Sequence, residues 1–145
     1  MREKQRVLVS VMGWTHEEDD ASDSVRLLTT GTLSGNRNAW RIDYTETQMD
    51  NESHDVTLTL DRGVVTMERA GSFATSMVFE QGRRFEGNYR TPYGDLAMGV
   101  YPTQVQYTVD DAATGEVNLT YQLDLQGQFA AMHELRIRFC PAGKQ

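Results

Sequence analysis

Apolar residues alternate with polar residues through most of the chain, and short runs rich in glycine, proline or asparagine separate the alternating segments. A period of two is typical of strands that bury one face. The longest clean alternation covers residues 117–125. The only candidate for a helical turn is the segment 129–132. The pattern predicts an all-β protein with little or no helix and about eleven short strands, at 7–11, 25–33, 40–46, 56–60, 64–69, 73–80, 85–91, 96–100, 105–109, 117–125 and 135–139.

The predicted connections are mostly short enough to be hairpin loops, which favours antiparallel pairing between neighbours in sequence. One predicted connection is longer, the acidic loop at 15–23. Pro102 is expected at an edge, bulge or corner, because proline cannot donate a hydrogen bond within a sheet. A long meander has two exposed edges unless it closes, and this chain has few of the lysines and prolines that protect edges. We therefore expect a single antiparallel closed β-barrel of about 8–11 strands, with residues 1–145 as one domain and its core at about 6–139.

Composition narrows the class of protein. The chain has 145 residues, of which 39% are hydrophobic and 24% are charged, as in a soluble globular domain. It has no apolar run of about 18 residues, so no membrane span is expected. A net charge of -7 without a basic stripe argues against nucleic-acid binding. Cys140 stands alone and residues 1–6 do not resemble a signal peptide, which together predict a cytoplasmic location.

Residue patterns for catalysis or metal binding are missing from the sequence. His16, His54 and His133 lie far apart, and the chain has no nucleophile elbow, P-loop or dinucleotide fingerprint. The acidic loop lacks the order of an EF-hand. The sequence therefore predicts no metal, no cofactor and no catalytic residue, and it leaves an enzyme as the least favoured class.

One set of residues is suited to ligand binding. If the alternation points apolar residues inward, Arg69 and Glu46 share the inner faces with tyrosines and methionines. A guanidinium beside tyrosine hydroxyls can hold a carboxylate. Alternatively, Arg69 and Glu46 lie at the rim and pair with each other or with water, and the tyrosines are core. The candidate ligand-binding residues are Arg69, Glu46, Tyr44, Tyr89, Tyr121, Trp40, Met67 and Met98.

Two functions follow from these alternatives. In the first, the barrel is a non-enzymatic module that binds a small, partly apolar or acidic ligand, with Arg69 as its anchor. In the second, side chains fill the barrel and the protein is an interaction or accessory protein. Gly31, Gly87 and Thr91 on inner faces predict leftover space, whereas the many large inner residues predict filling. The sequence does not distinguish a monomer from a homodimer.

Five segments in order resemble the YwiB-like family of small bacterial proteins, which are grouped as a domain of unknown function. They are TTG at 29–31, YTET at 44–47, GVVTMERAG at 63–71, YRTPYGDL at 89–96 and GEVNLTY at 115–121. The resemblance implies a closed barrel similar to the calycins, the group that includes lipocalins and fatty-acid-binding proteins. It implies no activity, cofactor or site. The chain lacks the G-x-W signature of lipocalins, because Gly13 and Trp14 are adjacent, and it lacks the two-helix lid of fatty-acid-binding proteins.

Overall fold

A computed structural model describes residues 2–16, 22–35, 39–47, 53–71 and 74–143. The described chain forms ten strands, each separated from the next by a turn or loop, and no helix occurs among these residues. The strands are β1 (Arg2–His16), β2 (Ser22–Gly35), β3 (Ala39–Thr47), β4 (Ser53–Asp61), β5 (Val64–Arg69), β6 (Ala74–Phe79), β7 (Phe85–Thr91), β8 (Gly94–Val109), β9 (Gly115–Leu125) and β10 (Gln128–Pro141).

The ten strands form one closed antiparallel barrel. Each strand pairs with its neighbours in sequence, and β1 closes the ring by pairing with both β2 and β10. The predicted fold class, an all-β antiparallel barrel, is thus confirmed. Because the connections alternate between the two ends, we call the end that carries the β1–β2 and β3–β4 connections the upper end, and the opposite one the lower end.

The bulge predicted as one alternative at Pro102 is confirmed, but strand boundaries were predicted wrongly at three places. Residues on both sides of Pro102 belong to a single strand, β8, because a bulge between Pro102 and Gln104 accommodates the proline without ending the strand. Segment 129–132 is part of β10 and not a helical turn, because it pairs with β9 through a second bulge between Phe129 and Ala131. The ends of the predicted acidic loop also lie in strands β1 and β2, and its residues 17–21 lie outside the described residues.

The lower half of the barrel is filled by apolar side chains. Inner-facing residues from many strands are almost fully buried there, as the alternating burial of β4 and β5 shows. They include Val7, Val9, Leu33, Ile42, Leu58, Leu60, Val65, Phe79, Val117, Leu119, Ile137 and Phe139. Removing this surface from water stabilises the fold by roughly 25 cal/mol per Å². We call this region the apolar floor.

The predicted space at two inner glycines is absent. A Cβ on Gly31 would lie 2.3 Å from the carbonyl oxygen of Asp43, because β2 and β3 approach closely at this point. A Cβ on Gly87 would lie 2.9 Å from the ring of Phe85, which already occupies that volume. These glycines permit close contact and do not create a cavity.

On β1, β9 and β10 the inner side chains become less buried toward the upper end, whereas on β8 half-buried inner residues also occur toward the lower end. Along β1, Val7 and Val9 are fully buried whereas Val11 is half-buried. The same change occurs from Leu119 to Leu123 on β9 and from Ile137 to Leu135 on β10. Solvent therefore reaches the inner wall from the upper end, as far down as these positions.

Candidate functional site

Polar side chains gather on the inner wall above the apolar floor. They come from five strands, and their order around the barrel follows from the strand register. We call this group the polar belt; it comprises Thr15, Tyr44, Glu46, Arg69, Tyr121 and His133. Polar groups inside a barrel are unfavourable unless they bond to one another, to water or to a ligand.

An ion pair between Arg69 and Glu46 lies in this belt. Strand β4 separates β3 from β5, and Val56 of β4 pairs with Tyr44 on one side and Arg69 on the other. Arg69 therefore bridges the inner face of β4 to reach Glu46, with 2.5 Å between Nε and Oε1. The side chains are 25% and 15% exposed, respectively. They thus combine features of both predicted arrangements, because they are inner-facing and largely buried but also paired with each other.

Two tyrosines of the belt are buried close to this ion pair. Tyr44 is 5% exposed and Tyr121 is 8% exposed. Burial, together with the negative charge of Glu46, raises the pKa of Tyr44 above its usual value. Burial raises the pKa of Tyr121 to about 12, although the charge of Arg69 acts in the opposite direction. Both groups are therefore neutral hydroxyls at physiological pH.

Neither tyrosine hydroxyl donates to, or accepts from, another residue in the part of the chain that the structure describes. Solvent reaches both hydroxyl oxygens, because neither is among the fully enclosed side-chain polar atoms that lack a partner. The hydroxyls of Tyr44 and Tyr121 are therefore available to a molecule inside the barrel. This is the main chemical feature of the belt.

His133 extends the belt across the barrel to β1. Its ring stacks on Tyr121 with 5.2 Å between centroids, and the other side of Tyr121 contacts Phe79 at 4.9 Å. Its Nδ1 lies 3.2 Å from Oγ1 of Thr15. Burial lowers the pKa of His133, and the nearby His16 contributes in the same direction. The imidazole is therefore held in its neutral form.

The lowered pKa of His133 predicts a loss of stability in acid. An unfolded histidine titrates at about 6.5. Below that pH the unfolded state takes up the proton before the folded state does, so the free energy of unfolding falls as the pH falls. The variant His133→Gln lacks this contribution. Between pH 7 and pH 5 the free energy of unfolding should therefore fall more in wild type than in His133→Gln. Urea unfolding at both pH values measures it.

His16→Gln is the control for that measurement, because His16 is exposed on the outer face and bonds to Glu134. It should not reproduce the change seen with His133→Gln. An equal stability difference between wild type and His133→Gln at both pH values would contradict the assignment of His133 as a buried, neutral group.

A further histidine lies beside the belt. His54 of β4 is fully buried, and its Nδ1 is 3.2 Å from the carbonyl oxygen of Ala70. Gly71 packs against the ring, because a Cβ at that position would lie 2.3 Å from Nδ1. The imidazole thus contacts Ala70 and Gly71, the two described residues that directly follow β5.

The structure separates the predicted site residues into two groups. Arg69, Glu46, Tyr44 and Tyr121 come together in the belt, as the ion pair and the electrostatic effects on the tyrosines show. The other four line the inner wall elsewhere. Trp40 and Met67 are buried in the core, Met98 lies 3.8 Å from the hydroxyl of Thr75, and Tyr89 is a half-buried residue of β7.

Sequence reasoning missed Thr15, His133 and His54 as members or neighbours of the site. A usable signal existed on β10, where Leu135, Ile137 and Phe139 alternate inward and place His133 on the same face. Thr15 falls in the predicted acidic loop, although it continues the inner phase of Val7 and Val9. In β1 and β10 the alternation of inward and outward side chains therefore continues beyond the apolar residues to the polar residues Thr15 and His133.

Other surfaces carry less chemistry. A groove of about 640 Å³ crosses the outer face over β2, β1, β10, β9 and β8, and the exposed Cys140 lies in its lining. Within the described ranges, no three His, Cys, Asp or Glu side chains are placed to bind a metal ion. None of these residues belongs to a helix long and apolar enough to cross a membrane.

Comparison with known proteins places the chain in a family. The crystal structure of ywiB protein from Bacillus subtilis superposes with a TM-score of 0.85 and 18% sequence identity, covering 99% of this chain and 96% of the other. At this identity the likeness shows the fold alone. No protein with a curated description matches the sequence. The profile of Domain of unknown function (DUF1934) matches residues 9–137, and the chain therefore belongs to that family.

Proposed function

We propose that this barrel is a non-enzymatic module that binds one small amphiphilic molecule, with a carboxylate at the polar belt and an apolar part against the upper inner wall. The observation that carries the proposal is the pair of hydroxyls on Tyr44 and Tyr121, which solvent reaches, which lack a partner among the described residues and which lie near Arg69. The proposal includes a calycin-like mode of binding in the lumen and a cytoplasmic setting.

The ion pair is compatible with an anionic ligand. Glu46 accepts from Nε of Arg69, whereas a guanidinium carries four further N–H groups on its Nη atoms. A ligand carboxylate can accept from those groups and from the tyrosine hydroxyls, which offsets repulsion from Glu46. The apolar part of the ligand then contacts half-buried aliphatic residues such as Val11, Leu27 and Leu123. Because the floor below is filled, the ligand enters from the upper end.

Dodecanoate is a suitable probe, since it carries a carboxylate and an apolar chain. Calorimetric titration should show a dissociation constant for dodecanoate at least tenfold higher in the double variant Glu46→Gln/Arg69→Met than in wild type. The double variant removes both charges, so neither is left buried without its partner. Dodecan-1-ol should bind wild type and the double variant equally, because it lacks the charge that Arg69 recognises. Arg90→Gln, on the exposed outer face of β7, is the matched control and should retain binding.

The second candidate function is an accessory protein whose barrel is filled by its own side chains, and the apolar floor favours it. Native mass spectrometry on protein purified gently from its own cells distinguishes the two functions. An added mass that is lost on denaturation supports the ligand-binding module. A bare mass together with no binding of dodecanoate contradicts it and supports the accessory protein.

A further inference from the structure

The polar belt contains a second recognition centre opposite the ion pair. It consists of His133, which is held by Thr15 at Nδ1 and by the ring of Tyr121 at its face. Stacking at an interplanar angle of 16° fixes the plane of the imidazole, and the bond to Thr15 fixes its rotation. A ring restrained in two ways presents its remaining nitrogen, Nε2, in one direction.

That nitrogen has no hydrogen bond to any other residue in the described part of the chain. Because the imidazole is neutral, one ring nitrogen donates and the other accepts. If Thr15 donates to Nδ1, Nε2 is a donor, and if Nδ1 donates to Thr15, Nε2 is an acceptor. A hydroxyl group is suited to either state, since it both donates and accepts.

The two centres are close together. The charge of Arg69 acts on the hydroxyl of Tyr121, and the ring of the same tyrosine stacks on His133. In the proposed carboxylate site the hydroxyl of Tyr121 bonds to the ligand, and the ring of His133 lies beside that tyrosine, with 5.2 Å between the two ring centroids. A ligand that bonds to both needs its two polar groups only a few atoms apart.

We infer that the bound molecule carries a hydroxyl group close to its carboxylate and that His133 bonds to this hydroxyl. The inference rests on the proposed carboxylate site. The ligand class is therefore a hydroxy acid with an apolar chain, and not a simple fatty acid. His133 determines specificity in this arrangement, whereas Arg69 supplies the interaction with the acid group.

Calorimetry with dodecanoate and 3-hydroxydodecanoate tests the inference. Wild type should bind one enantiomer of 3-hydroxydodecanoate about tenfold more tightly than dodecanoate, which corresponds to one net hydrogen bond. His133→Phe keeps an aromatic ring for the stack on Tyr121 but removes both nitrogens. It should lose the discrimination and bind the two acids with equal affinity.

The outcomes separate the inference from the proposed function. Equal affinities in wild type would overturn the hydroxyl site and leave the carboxylate site intact, whereas binding of neither acid would overturn both. Full discrimination in His133→Phe would also overturn the role of His133. If that variant does not fold, Thr15→Val decides the matter, because it keeps the shape of the side chain and releases the ring. It should lower the discrimination about threefold, and an unchanged ratio would reject the inference.

Discussion

Replacing Gly71 with alanine should destabilise the protein by about 4 kcal/mol, from the combined cost of a strained backbone and an overpacked site. Gly71 has φ of +130°, where residues with a side chain are rarely found. The new Cβ would also lie 2.3 Å from Nδ1 of His54, which is fully buried and bonded to Ala70. The imidazole cannot move away without losing its bond to Ala70. Urea unfolding at constant m-value measures the loss.

Gly94→Ala is the matched control, because Gly94 has the same φ of +130° but a Cβ there would meet no atom within 4 Å beyond its chain neighbours. It should lose only the backbone part, about 1–2 kcal/mol. The difference between the two variants isolates the contact with His54. Equal losses would show that the chain at Gly71 moves away from His54 at no cost.

A double-mutant cycle sharpens this prediction. In a His54→Ala background the imidazole is absent, so the cost of Gly71→Ala should fall to that of Gly94→Ala. Residues in direct contact typically couple by about 0.5–3 kcal/mol. An additive cycle would contradict the packing of Gly71 on the ring.

Much of the fold could be predicted because each strand buries one face, so alternation in the sequence reports directly on the inner and outer walls. Closure also followed from the sequence, since short connections and unprotected edges favour a ring. The errors lie where bulges shift the alternation. At Pro102 and at Phe129–Ala131 an extra residue interrupts the period of two, so one strand was divided and another was predicted to start too late.

The candidate site was predictable only in part, for the same reason. Arg69 and Glu46 follow uninterrupted apolar alternation on β5 and β3, so their inward phase could be read. Whether they pair depends on the register of three strands, which alternation does not specify. His133 follows the bulge in β10, where the phase could be read only backward from Leu135. The space attributed to Gly31 was wrong, because the distance between neighbouring strands is a tertiary property.

Arg69→Met should destabilise the protein by about 2–3 kcal/mol, because it leaves the carboxylate of Glu46 largely buried without its partner. Breaking a fully buried ion pair typically costs about 3–5 kcal/mol. The value expected here is lower, since solvent reaches 25% of Arg69 and 15% of Glu46. The free energy of unfolding in urea at pH 7 is the measurement, with ligand-free protein.

The double variant Glu46→Gln/Arg69→Met should recover to within about 1 kcal/mol of wild type, because no charge is then left without a partner. Arg41→Met is the control on the outer face, where Arg41 pairs with Asp43 at 2.9 Å and is well exposed; it should change stability little. A double variant as unstable as Arg69→Met would show that the loss comes from packing of the arginine side chain, and not from a stranded charge.

Stability and binding together reveal why an ion pair lies inside the barrel. Burying two charges removes them from water, and the free energy lost in this way is often about as large as the free energy gained from their attraction. Such a pair therefore adds little to the stability of the fold. If the double variant is as stable as wild type but binds dodecanoate at least tenfold more weakly, folding does not require the pair and ligand binding does. If it is as stable as wild type and binds dodecanoate equally well, the pair is dispensable for both, and the proposed role of Arg69 as the anchor is rejected.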